Sequence, residues 1–542
     1  MSMEAPPGGV TPQSRRVMNL AHFLRQSGRR FAGEIGLVFG EESWSWGEID
    51  RRVDAMAAAL ARRGVAKGDR VLVQSRNCNQ LFESMFACFR LGAVWVPTNF
   101  RQTPGEVAYL AQASGASAMI CHADFPDHEA AAREAAPAIR FVVSIGPAAF
   151  GEDYDALVAE QIGASAPTAD IVYDDPCWFF FTSGTTGRPK AAVLTHGQMA
   201  FVVTNHLCDL MPGTTNRDAS LVVAPLSHGA GIHQLVQVAH GAKTILPAGE
   251  RFDVAEAWAL VERWRVTNMF TVPTILKMLV EHPSVDAHDH SSLRYVIYAG
   301  APMYREDQKR ALRVLGPVIV QYFGLGEVTG NITVLPPDLH VLDDGPEARI
   351  GTCGVERTGM QVQIQDDAGD EVPAGATGEI CVCGPAVFAG YYDNPEANAK
   401  AFRRGWFRTG DLGHMDPEGF VFITGRASDM YISGGSNVYP REVEEKLLTH
   451  PALAEVAVLG VPDRIWGEVG VAVCVLRPAA TLDAGELLGW LGDKVARYKL
   501  PRHIFFWDAL PTSGYGKVTK KGVRAELEAR GWLAPVADAG AG

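Results

Sequence analysis

The chain has 542 residues, room for about three to four domain-sized units, which excludes a lone small binding module. Hydrophobic residues make up 47%, charged residues 20% and mean hydropathy is +0.01, the balance of a folded globular protein rather than a disordered one. With 49 Lys and Arg against 62 Asp and Glu the net charge is −13, a field that repels polyanions; nucleic acid is excluded as a default partner, and a local phosphate site is not.

Met1 to Val17 lacks the apolar core of a secretory signal, and nowhere do enough apolar residues run together to span a membrane, so a cytoplasmic protein without a membrane span is expected. Ser45 reads as a helix N-cap with Glu48 as its capping-box partner; Ile49, Val53, Met56 and Leu60 share one face, and Gly64 closes the helix. Val71 to Val73, a helical stretch from Gln80 to Leu91 and Ala93 to Val96 alternate as strand, helix, strand, the pattern of a parallel sheet.

Phe179 to Phe181 form an apolar strand that runs into Thr182-Ser183-Gly184-Thr185-Thr186-Gly187-Arg188-Pro189-Lys190. Such a loop suits phosphate, because glycines admit backbone N–H groups, hydroxyls donate and Lys190 supplies charge. It lacks the spacing of a Walker A loop. Asp253 and Glu256 open a helix through Trp258, Val261 and Trp264, followed by short buried strands at Thr267 to Val272 and Tyr295 to Tyr298. Ligands of open α/β sheets bind beyond the carboxyl ends of the strands, which directs attention to Ala299-Gly300-Ala301-Pro302.

Beyond about Gly351 short β segments and turns suggest a β subdomain near residues 351–425. A small α+β unit follows, with a helix from Pro440 to Leu448, strands at Val456 to Val461 and Val469 to Leu476, and a helix near Asp483 to Ala496. Nine cysteines, odd in number and without metal-ligand spacing, read as reduced core thiols. Residues 535–542 read as a disordered tail.

The loop from Thr182 to Lys190 resembles the signature loop of the adenylate-forming superfamily, and further segments match that family in order: Ala299 to Pro302, Gln321-Tyr322-Phe323-Gly324-Leu325-Gly326-Glu327, Arg408-Thr409-Gly410-Asp411, Gly425-Arg426, Ser433-Gly434-Gly435 and Pro511 to Lys521. The resemblance covers roughly Asn19 to Arg530 and points to the acyl-CoA synthetase branch. It implies an α/β fold: a large N-terminal domain of layered α/β sheets plus the β subdomain, residues 1–427, and a smaller, mobile C-terminal α+β domain, residues 428–542, turning about Ser428. The implied reaction is adenylation of a carboxylic acid by ATP with Mg²⁺, then transfer of the acyl group to coenzyme A. A ligase that loads a carrier-protein thiol and a nucleotide sensor without turnover are the alternatives, and a homodimer is left open.

On this resemblance Lys517, Glu327 and His228 are catalytic. Read alone, Lys517 is a solvated lysine; the resemblance places it between the acyl carboxylate and the α-phosphate. ATP falls to Thr182, Ser183, Gly184, Thr185, Thr186, Gly187, Arg188, Lys190, Gly300, Ala301, Pro302, the run Gln321 to Gly326, Asp411, Ile423, Arg426 and Lys517. Within this set Phe323 stacks on the base and Asp411 with Arg426 holds the ribose; Glu327, outside it, holds Mg²⁺ with Thr185. The acyl pocket falls to Asn205, His228, Gly229, Ala230, Ile232, His233, Phe270, Tyr322, Gly324, Val328 and Asn331, a set that fits a medium-sized aryl or substituted aliphatic acid. Ser433, Gly434 and Gly435 leave room for the pantetheine arm of CoA. Two departures from the family stand out: Gly326 occupies the usual position of a threonine, with a backbone N–H or Thr329 as candidate substitutes, and Ser428 occupies the position of a charged hinge residue.

Overall fold

The computed structural model describes residues 15–166, 168–182, 188–249, 251–301, 303–345, 348–426, 429–433, 436–512 and 518–533. A seven-stranded sheet runs in the order Lys190–Thr195, Pro176–Thr182, Val94–Pro97, Arg70–Gln74, Ala118–His122, Val142–Ile145 and Glu152–Asp153, all parallel except the first pair. A nine-stranded sheet has six parallel strands at its centre, among them the neighbours Ala219–Val222, Asn268–Thr271, Tyr295–Tyr298 and Ile319–Phe323.

One apolar cluster is shared by both sheets, drawing Trp95, Trp178 and Phe180 from the first and Val222, Ile297 and Val320 from the second. Trp95 and Trp178 meet edge to face at 4.6 Å, a contact geometry that aromatic pairs prefer. The helix Trp46–Arg62 covers this core. Ser45 accepts from the Glu48 backbone and Glu48 Oε2 accepts from Ser45 N at 2.7 Å, the reciprocal cap expected from the sequence.

Five strands from Gln361–Gln365 to Val421–Arg426 form a separate antiparallel sheet. Five more, from Tyr431–Ser433 to His503–Trp507, form the last sheet with the helices Pro440–Leu448, Ala484–Gly492 and Lys520–Ala529. The helix expected over 483–496 ends at Gly492: Asp483 and Glu486 fix its start, while Gly489 and Gly492 weaken its end, each costing about 1 kcal/mol relative to alanine. The cysteines also need correcting, because Cys208 is exposed and Cys383 half-buried while the other seven are buried.

Candidate active site

Four adjacent parallel strands end together. Beyond Ala219–Val222 comes His228, beyond Asn268–Thr271 and Tyr295–Tyr298 come Val272 and Ala299 to Ala301, and Ile319–Phe323 runs into Gly324 to Glu327. Parallel strands place these segments side by side because their carboxyl ends share one edge of the sheet. From the other sheet, the strand Pro176–Thr182 delivers Thr182 to the same place.

Glu327 is 6% exposed. Its Oε1 accepts from Thr182 Oγ1 at 2.8 Å and from Tyr391 Oη at 2.9 Å, and its carbonyl accepts from Phe388 N at 2.8 Å. Oε2 has no hydrogen-bond partner among the described residues. Burial and the neighbouring carboxylate push the Tyr391 phenol up, so it stays a donor. Lys190 Nζ lies 4.3 Å from the Tyr391 ring centroid, a cation held over an aromatic face. Tyr391 escaped the sequence reading. It reaches Glu327 because residues 389–392 hydrogen-bond along Lys190–Thr195, with Val193 N donating to Gly390 O at 2.9 Å and Tyr392 N to Ala191 O at 2.9 Å.

Gly326 has a steric reason. A Cβ there would lie 2.6 Å from Phe180 Cε1 and 2.9 Å from Thr182 Cγ2, so the space a threonine needs is filled by the Phe180 ring. That ring also packs against His228, centroids 4.5 Å apart. Thr329 does not substitute for the missing hydroxyl: its Oγ1 donates to the Val328 carbonyl at 2.6 Å and accepts from Asn331 Nδ2 at 3.1 Å, buried at 3% exposure.

Asp411 and Arg426 face each other across paired strands, Nε to Oδ1 at 3.0 Å. Burial pushes the Asp411 carboxyl up while Arg426 opposes the shift, and Oδ2 has no hydrogen-bond partner among the described residues. Ile423 lies half-buried on the Arg426 strand. Arg188 is exposed, its guanidinium 5.2 Å from the Tyr109 ring.

Of the acyl-pocket set, Phe270 and Tyr322 come together as near-parallel rings 5.9 Å apart at 18°. Gly229 closes on them: a Cβ there would lie 3.0 Å from Phe270 Cζ and 3.8 Å from Tyr322 Oη. His233, 6.2 Å from Phe270 by ring centroid, sits 3.1 Å from Asn268 Oδ1, and burial pulls its imidazole down to about 4. Ala230, Ile232 and Val328 are buried in the shared core. Asn205 is turned to Asp209 and the Thr358 carbonyl, and Asn331 to the Val328–Thr329 backbone. Gly324 packs against Gly330. Behind Tyr322 lies Arg357, unforeseen from sequence, fully buried, donating to Gly330 O at 3.2 Å with Asp209 3.7 Å away.

Ser433 is buried in the small sheet, 6% exposed. Lys517, Ser428, Gly434, Gly435, Pro302 and Ser183 to Gly187 lie outside the described residues. Among the described residues no group of three or more His, Cys, Asp or Glu gathers as a metal cage, and no helix is long and apolar enough to cross a membrane.

The sequence pattern of a family described as AMP-binding enzyme matches residues 24–392, and that of the AMP-binding enzyme C-terminal domain matches 442–517. A feruloyl-CoA synthase from Amycolatopsis is 38% identical over 487 residues, covering 90% of this chain and 94% of that one. An indoleacetate–CoA ligase from Aromatoleum aromaticum is 34% identical over 513 residues, covering 95% and 99%. The crystal structure of ATP-bound MatB from Rhodopseudomonas palustris superposes with a TM-score of 0.83 at 30% identity, covering 94% of this chain and 99% of that one.

Proposed function

The chain belongs to the AMP-binding enzyme family and is an AMP-forming acid–thiol ligase that uses ATP and CoA, and on that premise we propose which of its residues act and which acids it takes. The observation that carries the proposal is Glu327, a buried carboxylate with one oxygen bound by Thr182 and Tyr391 and the other without a protein partner among the described residues.

A hard oxygen left open at the ends of the strands suits Mg²⁺ shared with ATP phosphates. Glu327 would hold the ion with Thr185, and its charge would offset that of the phosphates. Thr182, Arg188, Lys190 and the loop 183–187 bind the triphosphate. Asp411 accepts from the ribose through Oδ2, while Arg426 keeps Oδ1 occupied and opposes the upward push of burial on the carboxyl. Phe323 and Gln321 border the base.

The acid's carboxylate oxygen attacks the α-phosphorus and the bond to pyrophosphate breaks. Lys517 stabilises charge at that phosphorus. The resulting acyl-AMP has a good leaving group, AMP, which the CoA sulfur displaces. We assign residues 1–427 to the ATP and acid site and 428–542 to a mobile unit pivoting at Ser428, with Ser433 to Gly435 on the CoA side.

The acid is an aryl or aryl-alkyl carboxylic acid. Support comes from the near-parallel rings of Phe270 and Tyr322, from the neutral His233 beside them, and from relatives named for ferulate and indoleacetate. A panel of cinnamic, arylacetic, short and long aliphatic acids, assayed for pyrophosphate release with and without CoA, tests this. Aryl acids should lead, and release of AMP should require CoA. A preference for long unbranched acids would overturn the assignment.

A further inference from the structure

Tyr298 sits at the centre of a buried polar chain that the reaction does not use. It is 0% exposed and stands in register with Gln321 on the neighbouring parallel strand, so both side chains emerge on one face. Its Oη lies 3.0 Å from Gln321 Oε1, 3.1 Å from His340 Nε2 and 3.0 Å from Gln308 Nε2.

The protons of this chain can be assigned by counting. Gln308 is fixed, because its Oε1 accepts from Arg305 Nη1 at 2.7 Å and its NH₂ therefore donates to Tyr298. His340 Nδ1 lies 2.8 Å from the Pro336 carbonyl, an acceptor only, so Nδ1 carries a proton. Burial pulls the His340 imidazole down to about 4, leaving it neutral with a bare Nε2. Tyr298 has one proton and two claimants, His340 Nε2 and the Gln321 oxygen. Giving it to Gln321 would strand a buried ring nitrogen without a donor. Giving it to His340 satisfies every group once the Gln321 amide is turned end for end, with its NH₂ donating to Tyr298; amide oxygen and nitrogen occupy equivalent positions in such a turn.

We propose that Tyr298, its proton committed to His340, is a positioning residue that turns the Gln321 carbonyl towards the nucleotide and thereby selects a base with an exocyclic amine, adenine, over one with a carbonyl at the same position. This rests on the reading above that Gln321 borders the base. Gln321 is half-buried, and its outward amide atom has no partner among the described residues. Its carbonyl accepts from the amine of ATP, whereas the carbonyl of inosine triphosphate (ITP) would meet it oxygen to oxygen.

The test compares ATP with ITP on the full chain, by direct binding titration and by pyrophosphate release. Wild type should favour ATP, and Tyr298→Phe, which keeps the ring but frees the amide, should shrink the ATP-to-ITP ratio by roughly ten-fold or more. The loss should fall on nucleotide affinity, leaving kcat at saturating ATP near its wild-type value. His340→Leu, which releases the Tyr298 proton to Gln321, should shrink the ratio in the same direction. In a Gln321→Leu background Tyr298→Phe should add nothing. A wild-type ratio retained by a folded Tyr298→Phe or His340→Leu variant would overturn the proposal. Absence of pyrophosphate release by wild type with every acid would instead sink the adenylation reading, while the binding ratio would still decide the role of Tyr298.

Discussion

The carboxylate centre at Glu327 and the aromatic wall at Tyr322 lie five residues apart in sequence yet are built in opposite ways. At Glu327, hydrogen bonds from Thr182, Tyr391 and the Phe388 backbone converge from segments remote in the chain. At the wall, ring meets ring, and the decisive feature is a missing side chain at Gly229. The first region should be sensitive to chemistry and indifferent to which acid is bound. The second should tolerate changes of polarity but respond to volume, because a close-packed contact transmits a single methyl.

The strongest way to break this division is at Lys517, which the proposed mechanism puts on the chemical side. Lys517→Ala should lower acyl-AMP formation by about 10²–10³-fold, the scale of losing a preorganised donor to a charged transition state, while leaving the reaction of supplied acyl-AMP with CoA nearly unchanged. Equal losses in the two rates, or no loss in the first, would contradict a role confined to acyl-AMP formation. Glu327→Gln should cost about 10²-fold in pyrophosphate release with every acid tested; undiminished turnover in excess chelator would contradict the metal role.

Acid pH sharpens the comparison through stability. His233 beside the wall, with His196 and His340 elsewhere, is held neutral by burial, each down to about 4 from an ordinary 6.5. The unfolded chain therefore takes up protons first as pH falls. The stability these residues contribute is complete above pH 6.5 and is lost progressively towards pH 4, on the order of 3 kcal/mol for each at the limit. Unfolding midpoints measured from pH 7.5 down to 4.5 should fall through that window, and His233→Asn should flatten part of the slope.

How much of this could be read from the chain depends on range. The cap at Ser45 and Glu48 is a contact between residues three apart, and the ends of the strands follow from local alternation, so both were legible. The loop from Thr182 and the segment ending at Glu327 carry their own residue types. Tyr391 carries no such mark, since its role depends on residues 389–392 pairing with a strand some two hundred positions earlier. Gly326 was visible as a departure, but its cause, the Phe180 ring, needed the two sheets to be brought together. The proton chain through Tyr298 and His340 joins four segments that alternation treats as separate elements.

The division between the two regions is tested most directly by one ratio, pyrophosphate release with a cinnamic acid over release with a short aliphatic acid, measured for wild type, Tyr391→Phe and Gly229→Ala. Tyr391→Phe removes a hydrogen bond to a charged group and should slow both acids alike by roughly ten-fold or more, leaving the ratio at its wild-type value. Gly229→Ala pushes the Phe270 ring by a few tenths of an ångström and should move the ratio towards the smaller acid by roughly ten-fold. A ratio shifted by Tyr391→Phe and untouched by Gly229→Ala would contradict the account.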